Sequence, residues 1–153
     1  MIKIEQIIKN LKNNKKISAS DWKIIITKVF KNIGIDSSKI DIIVSKKVME
    51  EYGVSSIKYS GYSFQKHLNP SLKKDLVLIN SEEPISSIIR TLGHEVGHII
   101  SEKGSQREFG QLMAEKQAFN IENRFAIEFN RLYNIILLII KWEVVNYLSV
   151  TNF

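Results

Sequence analysis

The strongest constraint on this chain is the run His94-Glu95-Val96-Gly97-His98, set inside the apolar series Ile85, Ile88, Ile89, Leu92, Val96, Ile99 and Ile100. Apolar residues at i, i+3, i+4 and i+7 mark a helix with one buried face. The spacing therefore predicts an amphipathic helix through the motif, with that series buried. Ser81 is the expected N-cap, with Glu82 and Glu83 where the helix dipole favours acids and Pro84 tolerated in the first turn. Gly104 offers a C-cap. Residues four apart share a helix face, so the two imidazoles can converge on one Zn²⁺ at about 2.0–2.1 Å. The Glu between them does not ligate; it lies beside the attacking water and can take its proton. Gly97 costs about 1 kcal/mol relative to Ala in a helix interior. Close packing of the next helix would explain it.

A catalytic zinc takes a third protein ligand. The chain has no Cys, and His67, its one further His, stands far upstream in the loop before Pro70. No later His follows HEVGHIISEKG, as the metzincin pattern would require. A carboxylate from the following helix is the remaining donor. Glu115, Ala118, Phe119 and Glu122 recur at i, i+3, i+4 and i+7, one helical face. Either Glu can thus face the motif helix, with Glu108 in the connecting loop or first turn. The two are seven residues apart, about 10.5 Å along the axis, so both cannot ligate one ion. Ile88, Leu92, Val96, Ile99 and Phe119 are expected in the core between the helices.

The rest of the chain reads as a single α+β domain of 153 residues, with residues 1–35 a helical N-terminal extension and residues 36–153 the catalytic core. Ile4, Ile7, Ile8 and Leu11 predict a first helix. Ser20 is the expected cap of a second, which carries Trp22, Ile25, Ile26, Val29, Phe30 and Ile33 and ends at Gly34. Ile40–Val44, Val54–Tyr62 and Leu76–Ile79 predict a sheet of about three strands. Leu76–Asn80, just before the motif helix, could serve as an edge for an extended peptide. A long final helix begins near Phe109 or Gln111, with a break expected near Asn134. Its apolar run Ile135–Ile140 is far short of the roughly 20 residues a membrane span needs and predicts a fully buried core helix. Beyond the carboxylates, Arg124, Arg131 and Tyr133 are candidates for polarising a carbonyl or stabilising an oxyanion.

Charge argues against nucleic acid as the partner. Residues 1–74 hold 15 Lys and 6 acids, a balance of +9, while the remainder is at −3. The lysines are scattered singly or in pairs, however, and no Arg, the residue suited to bidentate phosphate contacts, precedes Arg90.

HEVGH followed by Glu115-Lys116-Gln117-Ala118 resembles the HExxH…ExxA arrangement of small gluzincin metallopeptidases. EKQAFNIEN is similar to the E-x-x-A…E-N pattern of bacterial effector and toxin-type zinc metallopeptidases, and HEVGH to ImmA/IrrE-type peptidases. The resemblance covers about residues 75–133. It implies a minimal zincin-like fold, with His94, His98 and Glu115 as zinc ligands and Glu95 as general base. Glu122 is left as a carboxylate orienting a His or as the alternative ligand. The implied activity is a zinc-dependent metalloendopeptidase of bacterial or phage origin acting on a specific protein, cytoplasmic or delivered into a host cell without a cleavable leader. The alternatives are a regulatory ImmA/IrrE-like peptidase cleaving a repressor and a non-catalytic, metal-containing nucleic-acid-binding module.

Overall fold

The computed structural model describes residues 2–102 and 108–151, an α+β arrangement. Helix α1 (Ile2–Lys12) buries Ile4, Ile7, Ile8 and Leu11, as its spacing requires. Helix α2 (Ala19–Asn32) buries Trp22, Ile25, Ile26, Val29 and Phe30. Its cap is Ser18 rather than Ser20: the Ser18 hydroxyl accepts the Asp21 N–H at 3.1 Å, and Ser20 already lies inside the helix. Gly34, at φ +79°, turns the chain out of α2 in the left-handed region that glycine enters without strain.

Strand β1 (Ile40–Val44) leads into α3 (Lys46–Glu51), a short helix the apolar pattern did not announce. The Ser45 hydroxyl caps it by accepting the Val48 N–H. The strand expected over residues 54–62 is instead turn and bend as far as Ser60, and pairing is confined to β2 (Gly61–Phe64). Buried Asn80 explains the difference. Its side-chain amide donates to the Ser56 carbonyl, a partner that is not a strand, while its backbone N–H donates to the Ser60 carbonyl, the last bond of the β2–β3 pairing. After a 3₁₀ turn at Lys66–Leu68, which carries exposed His67, β3 (Asp75–Ile79) completes the sheet.

Sheet order is β1-β3-β2, with β1 parallel and β2 antiparallel to β3. All five residues of β3 are buried. The expectation of an edge strand at Leu76–Asn80 is therefore corrected: β3 is central, and β2 is the edge beside the motif helix. A small cluster of Met49, Val54, Leu76 and Leu78 forms one local core. The main core joins α1, α2, β1 and β3 to the last two helices.

Helix α4 (Ile85–Glu102) begins later than the Ser81 cap implied. The Pro84 carbonyl accepts the first helical N–H, from Ile88. Ser81 is occupied elsewhere, its hydroxyl taking the Lys46 N–H at 3.0 Å. Ile88, Ile89, Leu92, Val96 and Ile99 are buried, whereas Ile85 and Ile100 at the two ends are exposed. Helix α5 (Glu108–Thr151) runs 44 residues without the expected break at Asn134. No Gly or Pro occurs after Gly110 to interrupt it. Nor is Ile135–Ile140 fully buried: Ile136 is enclosed, but Ile135 and Leu138 face outward. The expected C-cap at Gly104 lies outside the described residues. Among the described residues no helix is long and apolar enough to cross a membrane.

Helices α4 and α5 form an antiparallel pair held at backbone contact by two glycines one turn apart. A Cβ on Gly97 would stand 2.7 Å from Ala118 Cα, and one on Gly93 would stand 2.9 Å from Glu122 Cα. These are backbone atoms, so they cannot yield without moving a helix. Gly97→Ala would gain about 1 kcal/mol of helix propensity but incur the 1–3 kcal/mol typical of overpacking. The clash should win, and urea denaturation should show a lower midpoint than wild type. A raised midpoint would mean that the helices are not in this contact.

Candidate metal centre

The close helix contact brings three side chains to one point. His94 and His98 lie one turn apart on α4, and Glu115 reaches them from α5, one turn before Ala118. His94 Nε2 stands 3.0 Å from His98 Nε2 and 3.2 Å from Glu115 Oε1, and His98 Nε2 stands 3.1 Å from Glu115 Oε2. The three residues form a group that could hold a metal ion. Their spacing fits that role: donors tetrahedrally placed at about 2.0–2.1 Å from one ion stand roughly 3.3–3.4 Å apart. Two imidazole nitrogens aimed at each other and at one carboxylate compete for the same protons. A cation resolves that competition.

The remaining nitrogen of His94 gives a second indication. Nδ1 is buried and has no hydrogen-bond partner, while Glu122 Oε1 stands 3.9 Å away. A metal on Nε2 fixes the proton on Nδ1, where it needs an acceptor. The Glu122 carboxylate is within about 1 Å of hydrogen-bonding range. It is itself approached by Arg90 at 3.8 Å, and Arg90 donates to the Asn123 side-chain oxygen at 2.6 Å. Glu115 and Glu122 thus take different places: one among the converging donors, the other behind a His ring.

The rings are held in place by packing. His94 and His98 meet edge to face at 4.6 Å, and Phe119 meets His94 at 4.9 Å. Phe119 is not the core residue its position implied. It is half exposed and walls the His94 ring on the solvent side. His94, His98 and Glu95 are each only partly covered, so the donor cluster is open to solvent on one side. At about 100° per residue, Glu95 projects roughly 60° round the helix from His98, flanking the donor face.

The candidates beyond Glu122 stand elsewhere. Arg131 and Tyr133 follow Glu115 by 16 and 18 residues of unbroken helix, about 24 and 27 Å along the axis. Arg131 pairs with Glu128, and its hydrogen bond, ahead of one from Asn32, holds the Glu128 carboxyl below its ordinary range. Tyr133 stacks on Phe129. Arg124 donates to the Ile33 carbonyl, closing the end of α2. Gly93 went unnoticed in the sequence, although its four-residue spacing from Gly97 is the signal of two helices in close contact. Asn123, the anchor of Arg90, stood in the sequence only as the last residue of the E-N element, with no role given to it.

Comparison of the chain with protein-family models, curated proteins and solved structures finds no match in any of the three.

The two carboxylates should separate in metal affinity. Glu115→Ala removes a donor and should weaken zinc binding by orders of magnitude in titrations against a competing chelator. Glu122→Ala should weaken it about 10–100-fold, the usual effect of losing the acceptor behind a ligand His. The reverse order would exchange their roles.

Proposed function

We propose that this chain is a zinc-dependent metalloendopeptidase of the gluzincin type, acting on a specific protein substrate. The observation that carries the reading is the convergence of His94, His98 and Glu115 with a carboxylate, Glu95, on the flank of the same helix. Imidazole nitrogens and a carboxylate oxygen, without thiolate, are donors that suit zinc. Bound there, zinc supplies a Lewis acid for the scissile carbonyl and lowers the pKa of water.

The remaining work belongs to side chains of this chain. His94, His98 and Glu115 would hold the cofactor, and Glu122, 3.9 Å from His94 Nδ1, would accept a hydrogen bond from that N–H and so orient the ring. Glu95 takes a proton from the attacking water at its carboxylate and returns it to the departing amine, the general acid–base cycle of peptide hydrolysis. Phe119 shields the His94 ring.

The substrate backbone is best placed along β2. Among the described residues β2 pairs with β3 alone. It packs tightly on α4: a Cβ on Gly61 would lie 2.5 Å from Thr91 Cγ2, and Thr91 is three residues before His94. A peptide hydrogen-bonded to the open side of this strand would run past the donor cluster as an added strand.

Glu95→Gln separates binding from chemistry. The variant should keep one equivalent of zinc and lose peptide cleavage by about 10²–10⁴-fold, the contribution of general acid–base catalysis. Digestion of a proteome-derived peptide library, read by mass spectrometry, measures the activity. His94→Ala should lose zinc and cleavage together. Full, chelator-sensitive proteolysis by the Glu95→Gln protein would defeat the mechanism.

A further inference from the structure

Helix α5 is longer than the body it belongs to. Its 44 residues extend about 66 Å at 1.5 Å per residue, whereas a globule of this chain length is roughly 40 Å across. In the antiparallel pair, Gly97 faces Ala118 and Gly93 faces Glu122. The start of α4 therefore lies near Phe129 and Tyr133, with which Ile85 shares a surface depression. Beyond that point α5 continues without α4.

In this overhang the side toward the body is covered: Leu132 and Ile136 are buried, and Tyr133, Leu137 and Ile140 pack against the core. The opposite side is apolar and bare. Ile135, Leu138, Trp142 and Val145 are 39%, 65%, 67% and 54% exposed. Their spacing is i, i+3, i+7, i+10, the heptad seam by which one helix packs on another. The four lie within an arc of about 80°, and exposed Arg131 ends the apolar strip on the side of the body.

We infer that this seam pairs with the same seam of a second copy of the chain, in antiparallel orientation. The stripe is its own complement in that orientation. With the dyad between Leu138 and Trp142, Ile135 meets Val145 of the second copy, and Leu138 meets its Trp142. All four residues of each helix then face an apolar residue in alternating layers. At the exposures given, the four residues offer on the order of 500 Å² per chain, so pairing buries about 1,000 Å², the least that a specific interface needs. Antiparallel pairing also sends the two bodies to opposite ends of the seam. A lipid surface fits less well. Membrane-surface helices carry a Lys/Arg-rich polar face opposite the apolar one, and here that opposite face is the protein core.

The chain lacks Cys, which makes a direct test available. Sedimentation equilibrium of the full chain should give twice the 17.6 kDa monomer mass. Leu138→Glu/Trp142→Glu should return the monomer mass with an unchanged circular dichroism spectrum, since both side chains are exposed. Under oxidation, Ile135→Cys and Val145→Cys should each stay uncrosslinked alone and form a disulfide with each other when mixed. A wild type that is monomeric at every concentration would overturn the inference, as would a dimer that survives the double substitution. Homodisulfides formed by each Cys variant alone would replace antiparallel with parallel pairing and overturn it as stated. A monomer retained on anionic phospholipid vesicles would assign the seam to a membrane surface.

Discussion

The backbone contact between α4 and α5 is the constraint on which the site depends. Helix axes ordinarily lie about 8–10 Å apart, depending on the side chains between them. With glycine at positions 93 and 97, Ala118 and Glu122 approach until their main-chain atoms would touch a Cβ. Side chains as short as a glutamate can then span the gap and meet two imidazoles within 3.2 Å. Had either glycine been a larger residue, the helices would separate by an ångström or more, and the donors would separate with them. The motif supplies the donors; the glycines supply the distance.

The N-terminal helices take part in this arrangement. Ile7 and Ile8 of α1 and Ile25, Val29 and Phe30 of α2 belong to the same buried cluster as Leu92, Val96 and Phe125. Phe30 and Phe125 meet at 4.6 Å. Two polar links reinforce the seam between α2 and α5: Arg124 to the Ile33 carbonyl and Asn32 to Glu128 at 3.1 Å. The α5 face that carries Glu115 and Ala118 is thus backed farther along the same helix by α1 and α2. The position of the carboxylate is fixed by packing far from it.

What was legible in the sequence was what local periodicity encodes. The stripes of α1, α2 and α4 come from apolar spacing, and β1 and β3 from short, largely apolar runs. The i,i+4 spacing put His94 and His98 on one face, the helical period left both Glu115 and Glu122 facing them, and the resemblance to HExxH…ExxA singled out Glu115, the one that stands beside both rings. Failures came where partners are distant. Asn80 decides whether residues 54–60 are strand or loop, and no local pattern reveals which carbonyls a buried amide will take. The order of strands is likewise a tertiary fact, so β3 could read as an edge when β2 holds that place. Phe119 occupies a core-like position in the spacing but lies on the flank of the helix contact, against the His94 ring and half exposed. The overhang of α5 misled for a related reason: apolar residues all round a helix imply burial only where other elements reach it. Arg131 and Tyr133 were out of reach for a simpler reason: the rise of the helix that carries Glu115 places them more than four turns from it.

The layout also separates two kinds of order within one chain. All three donors fall within 22 consecutive residues, from His94 to Glu115, whereas β1 and β3 pair across 35 positions, Ile40 against Asp75. Closing the short segment costs less chain entropy than closing the long one, and contacts near in sequence form sooner. The group that could hold a metal ion thus rests on a local pair of helices, laid against a sheet that is closed over a longer stretch of chain.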